Sequence, residues 1–402
     1  MSAPSDTPPM RIAVVIESFD PAVGGNEKST DQIVAELVRR GHDVTLITGY
    51  CTPKGRPAGA AVLALSDRRS SSVFRLFKFS RWAMARLAAG KFDTSLSVTT
   101  AVPARVVQPR GGTVRETLAR NVAMRSGWQR FQKSLVLRCE PKQRLLLTLE
   151  RRTLADPAVH RVAALSRYVV GQLETHYRFP AVRTVVIPNA AVMPEPDAEQ
   201  RAAWRQAVRG KHDIPDRALV LLLAAQNPRL KGYATLLGAL ERLRDRGRGP
   251  GPVALLVGGF GPAELRAAEK RGLADQVRAV GPTREMPPMF AAADMTVHPS
   301  WYDPSSKVVI ESLMMSIPVI STVYNGSSDF LESPTSPPRG CVVNDPADSE
   351  KLADAIERLA DPVFRRACSA ACTGLVDELS MPRHVDRLER VLAEAAASTR
   401  PV

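Results

Sequence analysis

The chain has 402 residues, a formal net charge of +14 at pH 7 and five cysteines. This length favours two domains, because a single hydrophobic core stops growing well below it. The apolar runs are too short to span a membrane, and residues 1–10 lack the apolar core of a signal peptide, so we expect a disordered tail there.

The first elements along the chain predict the opening unit of a doubly wound sheet. Residues 11–19 and 44–48 are apolar runs typical of buried parallel strands. Between them, Gly24 and Gly25 precede a predicted helix that ends at Gly41. Such a turn can present backbone N–H groups to a phosphate or sugar, or it can be only a tight turn. The complete dinucleotide fingerprint is absent from the sequence, which counts against a nicotinamide or flavin cofactor.

A basic segment follows in the first half of the chain. Residues 105–152 contain twelve Arg or Lys and three Glu, and their apolar residues include Trp128. The pattern predicts a basic helical insertion that contacts an anionic membrane surface, and the alternative is a solvated face of an Arg-rich protein. Nucleic acid binding is disfavoured because stacking aromatic residues do not interleave with the charges. Arg110, Gly111 and Gly112 are candidates for a loop on the acceptor side of a site.

The strand and helix pattern restarts after a Pro-rich, charged stretch that follows Val192. A second doubly wound sheet is predicted from a helix that begins near Tyr233 and from apolar runs at 218–226, 253–259, 277–281 and 295–299. We therefore expect a first domain at 11–192, a second at 193–380, and a closing helix at 381–402 that can pack back on the first. Because open α/β sheets bind ligands beyond the carboxyl ends of their strands, a cleft between the two domains should hold one.

Two pairs of charged residues in the second domain are candidate site residues. Arg229 and Lys231 follow its first strand and precede a helix, a position suited to a diphosphate. Asp303 and Glu311 are eight positions apart, the first in a predicted loop and the second in a predicted helix that is apolar nearly all round. A buried carboxylate needs a partner, and spacing alone does not decide between a structural arginine and a ligand.

The sequence indicates neither a bound metal nor a cofactor. The odd, scattered cysteines indicate reduced thiols in the cytoplasm. Cys368 and Cys372 can share a helix face, yet they have no second pair and no histidine nearby. The Asp-x-Asp motif, which can bridge a metal ion to a diphosphate, does not occur.

Four features taken in order resemble the retaining family 4 glycosyltransferases of the GT-B fold. These are the early Gly-Gly pair, the Lys-Gly loop at 231–232, the motif HPSWYD-x7-E and the sequence PVIST-VYNGSSDF. The resemblance covers nearly the whole chain, and the acid-x7-acid element is its specific part. Within the family it is closest to the lipopolysaccharide core α-1,3-glucosyltransferase group. The implied fold is α/β, with two Rossmann-like doubly wound parallel-sheet domains that face an interdomain cleft.

The resemblance implies a role for each matching residue. Glu311 would accept hydrogen bonds from the ribose of the nucleotide, and Asp303 would contact hydroxyls of the transferred sugar. Arg229 and Lys231 would neutralise the departing diphosphate, which Gly24 and Gly25 would border from the first domain. The remaining donor-binding residues would be Ser305, Ser306 and Lys307, through backbone N–H groups.

The implied reaction is the transfer of a hexose with retained anomeric configuration. The expected donor is a nucleotide diphosphate sugar, UDP-glucose, and the expected acceptor is a glycolipid or polysaccharide such as lipopolysaccharide core. Fixed cations at the leaving oxygen would stabilise the transition state without a protein nucleophile or a metal. The enzyme would be cytoplasmic and peripherally attached to the inner face of the plasma membrane. The competing hypotheses are an inactive glycan- or membrane-binding scaffold and a nucleotide-sugar epimerase.

Three positions depart from the family pattern. Asp303 stands where a glutamate is common, Gln226 where an arginine is common, and Lys307 where a glycine is frequent. The first change shortens the reach of the acid by one methylene. The second leaves Arg229 as the candidate replacement cation, and the third can either add a charge to the site or crowd it.

Overall fold

The computed structural model describes residues 7–21, 25–52, 55–66, 71–247, 249, 251–332 and 337–398. The tail predicted at 1–10 lies mostly outside these residues, as does Gly24. The chain forms two compact units. Unit 1 comprises Met1–Ala190 and Ser380–Val402, and unit 2 comprises Ala191–Leu379.

Unit 1 is a parallel sheet with helices on both faces. Its strands are β1 (Arg11–Ile16), β2 (Asp43–Thr48), β3 (Ala61–Ala64), β4 (Thr94–Ser97), β5 (Val106–Val107), β6 (Arg161–Ala164) and β7 (Thr184–Val186). Its helices are α1 (Gly25–Arg39), α2 (Ser72–Ala89), α3 (Val114–Ala123), α4 (Gly127–Cys139), α5 (Pro141–Ala155), α6 (Arg167–Tyr177) and α15 (Met381–Ala397). The strand order is β3-β2-β1-β4-β5-β6-β7.

The apolar run of β1 is continuous because both faces of the sheet are covered. Ile12 and Val14 pack in one core cluster with residues of α1 and α15. Ala13 and Val15, which point the opposite way, pack in another cluster with residues of α2 and α5. Alternate residues of one strand therefore belong to two separate cores.

The basic segment contains three helices, α3, α4 and α5, and not one continuous helix. Ser126 is the N-cap of α4, and Pro141 occupies the first turn of α5, where its missing N–H costs nothing. No helix in the described part of the chain has the length and apolar character needed to cross a membrane.

Unit 2 repeats the architecture of unit 1. Its strands are β8 (Val220–Ala225), β9 (Val253–Gly258), β10 (Val277–Gly281), β11 (Met295–Val297), β12 (Val319–Thr322) and β13 (Gly340–Val343). Its helices are α7 (Ala198–Lys211), α8 (Tyr233–Arg246), α9 (Pro262–Glu269), α10 (Met286–Ala292), α11 (Lys307–Met314), α12 (Ser349–Ala360), α13 (Pro362–Ala371) and α14 (Leu375–Glu378). The strand order is β10-β9-β8-β11-β12-β13, and all described pairings are parallel. The predicted fold class, two Rossmann-like parallel-sheet domains, is confirmed.

Helix α15 is attached to the rest of unit 1 by a buried ionic cluster. The carboxylate of Glu389 accepts hydrogen bonds from Arg40 Nη1 at 2.7 Å and lies 3.0 Å from His42 Nε2. Arg40 also donates to the carbonyl of Pro382 at 3.0 Å. The side chains of Arg40, His42 and Glu389 are at most 5% exposed. Arg40 also pairs with Glu36 at 2.9 Å and with Asp386 at 2.6 Å, so Glu389 is the most buried of three carboxylates around it.

We expect Glu389→Ala to destabilise unit 1 by about 2 kcal/mol, because Arg40 would lose its most buried carboxylate partner and keep only Glu36 and the more exposed Asp386. Urea unfolding monitored by circular dichroism measures the change. Glu394→Ala is the matched control, since Glu394 lies on the same helix, is 58% exposed and is 4.0 Å from Arg161. Equal midpoints for the two variants would contradict the proposed importance of the cluster.

Candidate functional site

The candidate site of unit 2 lies where the order of the strands reverses. Strand β8 pairs with β9 on one side and with β11 on the other, although β11 follows β9 and β10 in the chain. Lys231 follows β8 and Asp303 follows β11, so both residues lie beyond the carboxyl ends of adjacent parallel strands. Ligands of open α/β sheets bind at this switch point.

Lys231 and Asp303 form an ion pair. Lys231 Nζ lies 2.6 Å from Asp303 Oδ2 and also donates to the carbonyl of Tyr302 at 3.3 Å. Asp303 Oδ1 accepts a hydrogen bond from the backbone N–H of Ser305 at 3.1 Å. Both charged side chains are largely buried. Each charge therefore compensates the other, and both side chains are oriented before any ligand binds.

The loops that hold this pair are in direct backbone contact. Gly232 has a φ of +78°, and a Cβ built on it would lie 2.1 Å from the carbonyl oxygen of Pro299. The backbone N–H of Trp301 donates to the carbonyl of Leu230 at 2.9 Å. A side chain at position 232 would separate these loops, which explains the glycine after Lys231.

Asn325 organises the other side of the site. Its Oδ1 accepts from the backbone N–H groups of Ser327 at 3.0 Å and Ser306 at 3.4 Å. Its Nδ2 donates to Ser321 Oγ at 2.9 Å and to His298 Nδ1 at 3.4 Å. From the sequence alone, neither His298 nor Asn325 has an assigned role, although both lie in motifs that support the family resemblance.

His298 is a neutral side chain within this network. It is almost completely buried, and burial, reinforced by the positive charge of Lys231, lowers its pKa to about 3, while Asp303 acts in the opposite direction. At neutral pH the ring therefore carries no charge and serves as a hydrogen-bond acceptor for Asn325.

The predicted backbone donors of this loop are engaged within the protein. The N–H groups of Ser305 and Ser306 donate to the side chains of Asp303 and Asn325, and both serines are buried. Lys307 is half-buried and is the first residue of α11. As the structure stands, Ser305 and Ser306 support the loop and do not present their N–H groups to a ligand.

Helix α11 is largely buried. Val309, Ile310 and Leu313 are fully buried, and Val308 and Glu311 are half-buried. Val308 packs against a core cluster of unit 2, which agrees with the apolar sequence of the helix. Glu311 is therefore partly accessible to solvent.

The remaining predicted cation of unit 2 is exposed. The side chain of Arg229 makes no ion pair with any residue that the structure describes, and Gln226 at the end of β8 is also exposed. Nearby, Gly258 has a φ of +111°, and a Cβ on it would lie 2.3 Å from the carbonyl oxygen of Ala225. Close packing against β8 explains the glycine at position 258, and a nucleotide-binding fingerprint is not needed to account for it.

In unit 1, Gly25 is the first residue of α1 and is exposed. A Cβ built on it would meet no atom within 4 Å. The N-terminus of α1 is therefore open at this position, as a contact with an anion requires. Gly24, the other glycine of the predicted contact, lies outside the described residues.

Arg110 is buried. A loop residue that contacts an acceptor would instead be expected to be exposed. Its Nη1 donates to Gln108 Oε1 at 2.8 Å and its Nη2 donates to Asn189 Oδ1 at 2.5 Å. Burial lowers the pKa of Arg110 to about 10. Gly111 and Gly112 continue the turn, in which the Gly112 N–H donates to a backbone carbonyl at 2.8 Å. The guanidinium is oriented by two neutral oxygens.

Helix α4 exposes an apolar face. Trp128 is 68% exposed and stacks on Phe131 with a distance of 5.2 Å between the ring centroids. Leu135 and Val136, one to two turns further along, are also exposed. In the part of the chain that the structure describes, no group of three His, Cys, Asp or Glu could hold a metal ion.

We expect Gly232→Ala to destabilise unit 2 and to weaken any ligand contact of Lys231, because the methyl group would collide with the Pro299 carbonyl. Backbone strain and overpacking together should lower the free energy of unfolding by more than about 2 kcal/mol. Gly210→Ala is the control, since this helical glycine has no atom within 4 Å of an added Cβ and should tolerate or gain stability from alanine. Thermal unfolding of both variants tests the difference, and an unchanged Gly232→Ala protein would refute the packing argument.

Two family models match the chain, one in each unit. Residues 23–191 match Glycosyltransferase Family 4, and residues 217–361 match Glycosyl transferases group 1. The lipopolysaccharide glucosyltransferase WaaG of Escherichia coli is 22% identical over 56% of this chain and 60% of its own length. The lipopolysaccharide core biosynthesis glycosyltransferase LpsE of Rhizobium meliloti is 30% identical over 46% of this chain and 53% of its own length. The matched part of the chain thus spans a little over half of these curated relatives.

Solved structures share the fold of the whole chain. A crystal structure of WaaG superposes with a TM-score of 0.73 over 95% of this chain and 99% of that chain, at 19% identity. The Anabaena protein Alr3699/HepE in complex with UDP-glucose superposes with a TM-score of 0.66 over 96% of this chain and 100% of that chain, at 17% identity. With both units matched by family models and both sheets present, the chain belongs to the family 4, group 1 glycosyltransferases of the GT-B fold.

Proposed function

We propose that this chain is a retaining, metal-independent hexosyltransferase that moves glucose from UDP-glucose to a glycolipid or polysaccharide acceptor of the lipopolysaccharide core class. The observation that supports it most is the Lys231–Asp303 pair at the switch point of unit 2, with the accessible Glu311 on the following helix. The name of WaaG and the UDP-glucose bound to HepE support the choice of acceptor and donor.

In the proposed donor complex, the charged residues of the site contact different parts of the donor. Glu311 accepts hydrogen bonds from the ribose hydroxyls, and Asp303 accepts them from the sugar. Lys231 is already neutralised by Asp303, so that the pair adds little net positive charge for a diphosphate. Arg229, which is exposed and has no ion pair among the described residues, supplies the additional cation in place of the arginine expected at Gln226.

Cleavage of the glycosidic bond leaves negative charge on the diphosphate oxygen and positive charge on the sugar ring. Arg229 and Lys231 stabilise the first, and the carboxylate of Asp303 stabilises the second. The departing phosphate oxygen takes the proton of the acceptor hydroxyl as the new bond forms on the same face of the sugar. No protein nucleophile is required, and the anomeric configuration is retained.

The proposed acceptor carries an anionic group. Arg110 is suited to such a group because, among the described residues, the neutral oxygens of Gln108 and Asn189 hold its buried guanidinium. An anion that reaches this side chain gains a charge-assisted hydrogen bond in a poorly solvated place. Gly111 and Gly112 allow close approach beside it.

The exposed apolar face of α4 is the proposed membrane contact. Trp128 and Phe131 would enter the headgroup region, and Arg130, Lys133 and Arg138 on the same helix would lie near anionic lipids. We therefore propose that the enzyme is cytoplasmic and attached peripherally to the inner face of the plasma membrane.

We expect Glu311→Ala to weaken UDP-glucose binding about 100-fold, since it removes two hydrogen bonds to a charged group at about 1.5 kcal/mol each. Calorimetric titration measures the affinity, and nuclear magnetic resonance of the product measures its anomeric configuration. Asp303→Asn should bind the donor and lose most of the turnover.

Glu269→Ala is the matched control, because Glu269 is an exposed acid at the end of α9. Wild-type affinity in Glu311→Ala would refute the assignment of the ribose contact. Absence of binding to UDP-, GDP- and ADP-sugars by the wild-type protein would favour an inactive scaffold, and an inverted product would exclude the mechanism.

We expect Trp128→Ala combined with Phe131→Ala to weaken binding to vesicles that contain phosphatidylglycerol at least tenfold, because two large apolar contacts are lost. Co-sedimentation at low and high salt measures it. Leu265→Ala combined with Val363→Ala removes two exposed apolar side chains from unit 2 and should bind like wild type. Equal losses in both double variants would argue against a specific role of α4.

A further inference from the structure

Helix α2 has an exposed face of aromatic and basic side chains. Phe74, Phe77 and Met84 are exposed, whereas Leu76 and Phe79 on the other side are buried in the core of unit 1. None of the 18 residues of α2 is acidic. A helix in contact with water alone normally presents polar residues on its outer face, so the outer face of α2 requires another explanation.

The basic side chains of α2 lie over its aromatic rings. Lys78 Nζ is 4.6 Å from the centroid of the Phe74 ring, and the Arg81 guanidinium carbon is 5.8 Å from that of Phe77. An open cavity of about 650 Å³ lies on this face, lined by Leu65, Phe74, Phe77, Lys78, Arg81 and Trp82. Its walls are apolar, and the two cations give it a positive charge, a combination that fits a molecule with an apolar chain and an anionic head.

The distribution of exposed aromatic residues connects α2 with α4. Every exposed Phe or Trp in the described part of the chain lies on one of these two helices. Helix α5 packs against both of them. The helices that carry the exposed aromatic residues therefore share α5 as a neighbour.

We propose that the α2 face binds an anionic phospholipid of the membrane. The acyl region lies against Phe74, Phe77 and Trp82, and the lipid phosphate lies beside Lys78 and Arg81. Charge complementarity selects the anionic lipid, because α2 offers four basic residues and no acid. The inference rests on the proposed membrane association of the enzyme and adds a second, separate point of contact to it.

Co-sedimentation of the full chain with phosphatidylcholine vesicles, with and without phosphatidylglycerol, tests the proposal. Lys78→Gln combined with Arg81→Gln should weaken binding to the anionic vesicles about 25-fold, from about 1 kcal/mol for each basic residue. Phe74→Ala combined with Phe77→Ala should weaken it at least tenfold. Arg266→Gln combined with Lys270→Gln, which removes the same charge from the exposed surface of unit 2, should bind like wild type.

Fluorescence of Trp82 reports directly on the cavity. In a Trp128→Phe, Trp204→Phe, Trp301→Phe variant, Trp82 is the one tryptophan that remains. Brominated lipids in the anionic vesicles should quench its emission if the α2 face meets the bilayer. Unquenched emission from vesicle-bound protein would overturn the proposal, as would equal affinity for vesicles without phosphatidylglycerol.

The outcomes separate this inference from the proposed function. If wild type sediments and the α2 variants sediment equally well, only the α2 site is refuted. If wild type does not sediment even at low salt, both membrane contacts are refuted, while UDP-glucose binding by the same protein still tests the transferase independently.

Discussion

The ion pair between Lys231 and Asp303 is the interaction on which the candidate site depends. It joins the loops that follow β8 and β11, two adjacent strands whose chain connections run in opposite directions. The pair is possible because Gly232 lets one loop approach the Pro299 carbonyl of the other. Neither charge could remain largely buried without the other. The strand order therefore determines where the site lies. The backbone contact between the two loops sets the distance between Lys231 and Asp303.

A network of neutral groups surrounds this pair and keeps its geometry. Asn325 uses both ends of its amide, accepting from backbone N–H groups with Oδ1 and donating to Ser321 and His298 with Nδ2. His298 contributes an acceptor without a charge because its pKa is lowered. A protonated ring here would face the Lys231 cation at short range. The loop of Asp303 is thus supported by neutral side chains, which do not compete with Lys231 for the Asp303 carboxylate.

The sequence predicts best what local pattern determines. The long apolar runs of β1, β8 and β9 identify both sheets, and the Lys231 and Asp303 motifs identify the switch point. The two-residue strand β5 is too short to produce a periodic pattern. The contacts of Asn325 reach residues up to 27 positions away, so only the folded chain reveals them. The apolar sequence of α11 predicts a buried helix, whereas the half-buried setting of Glu311 within it is visible only in the folded chain.

Lys231 and Arg110, two cations that the sequence indicates as candidate site residues, are compensated in different ways. Lys231 is neutralised by a carboxylate at 2.6 Å, so its main effect before a ligand binds is to orient Asp303. Arg110 is held by the amide oxygens of Gln108 and Asn189, which orient a guanidinium without cancelling its charge. Burial has already removed much of its hydration, and the lowered pKa of Arg110 records that cost. An anion beside Arg110 would recover part of it, whereas an anion beside Lys231 must compete with Asp303. For this reason an anionic group would gain more from Arg110 than from Lys231, and a diphosphate bound to unit 2 would depend on the exposed Arg229.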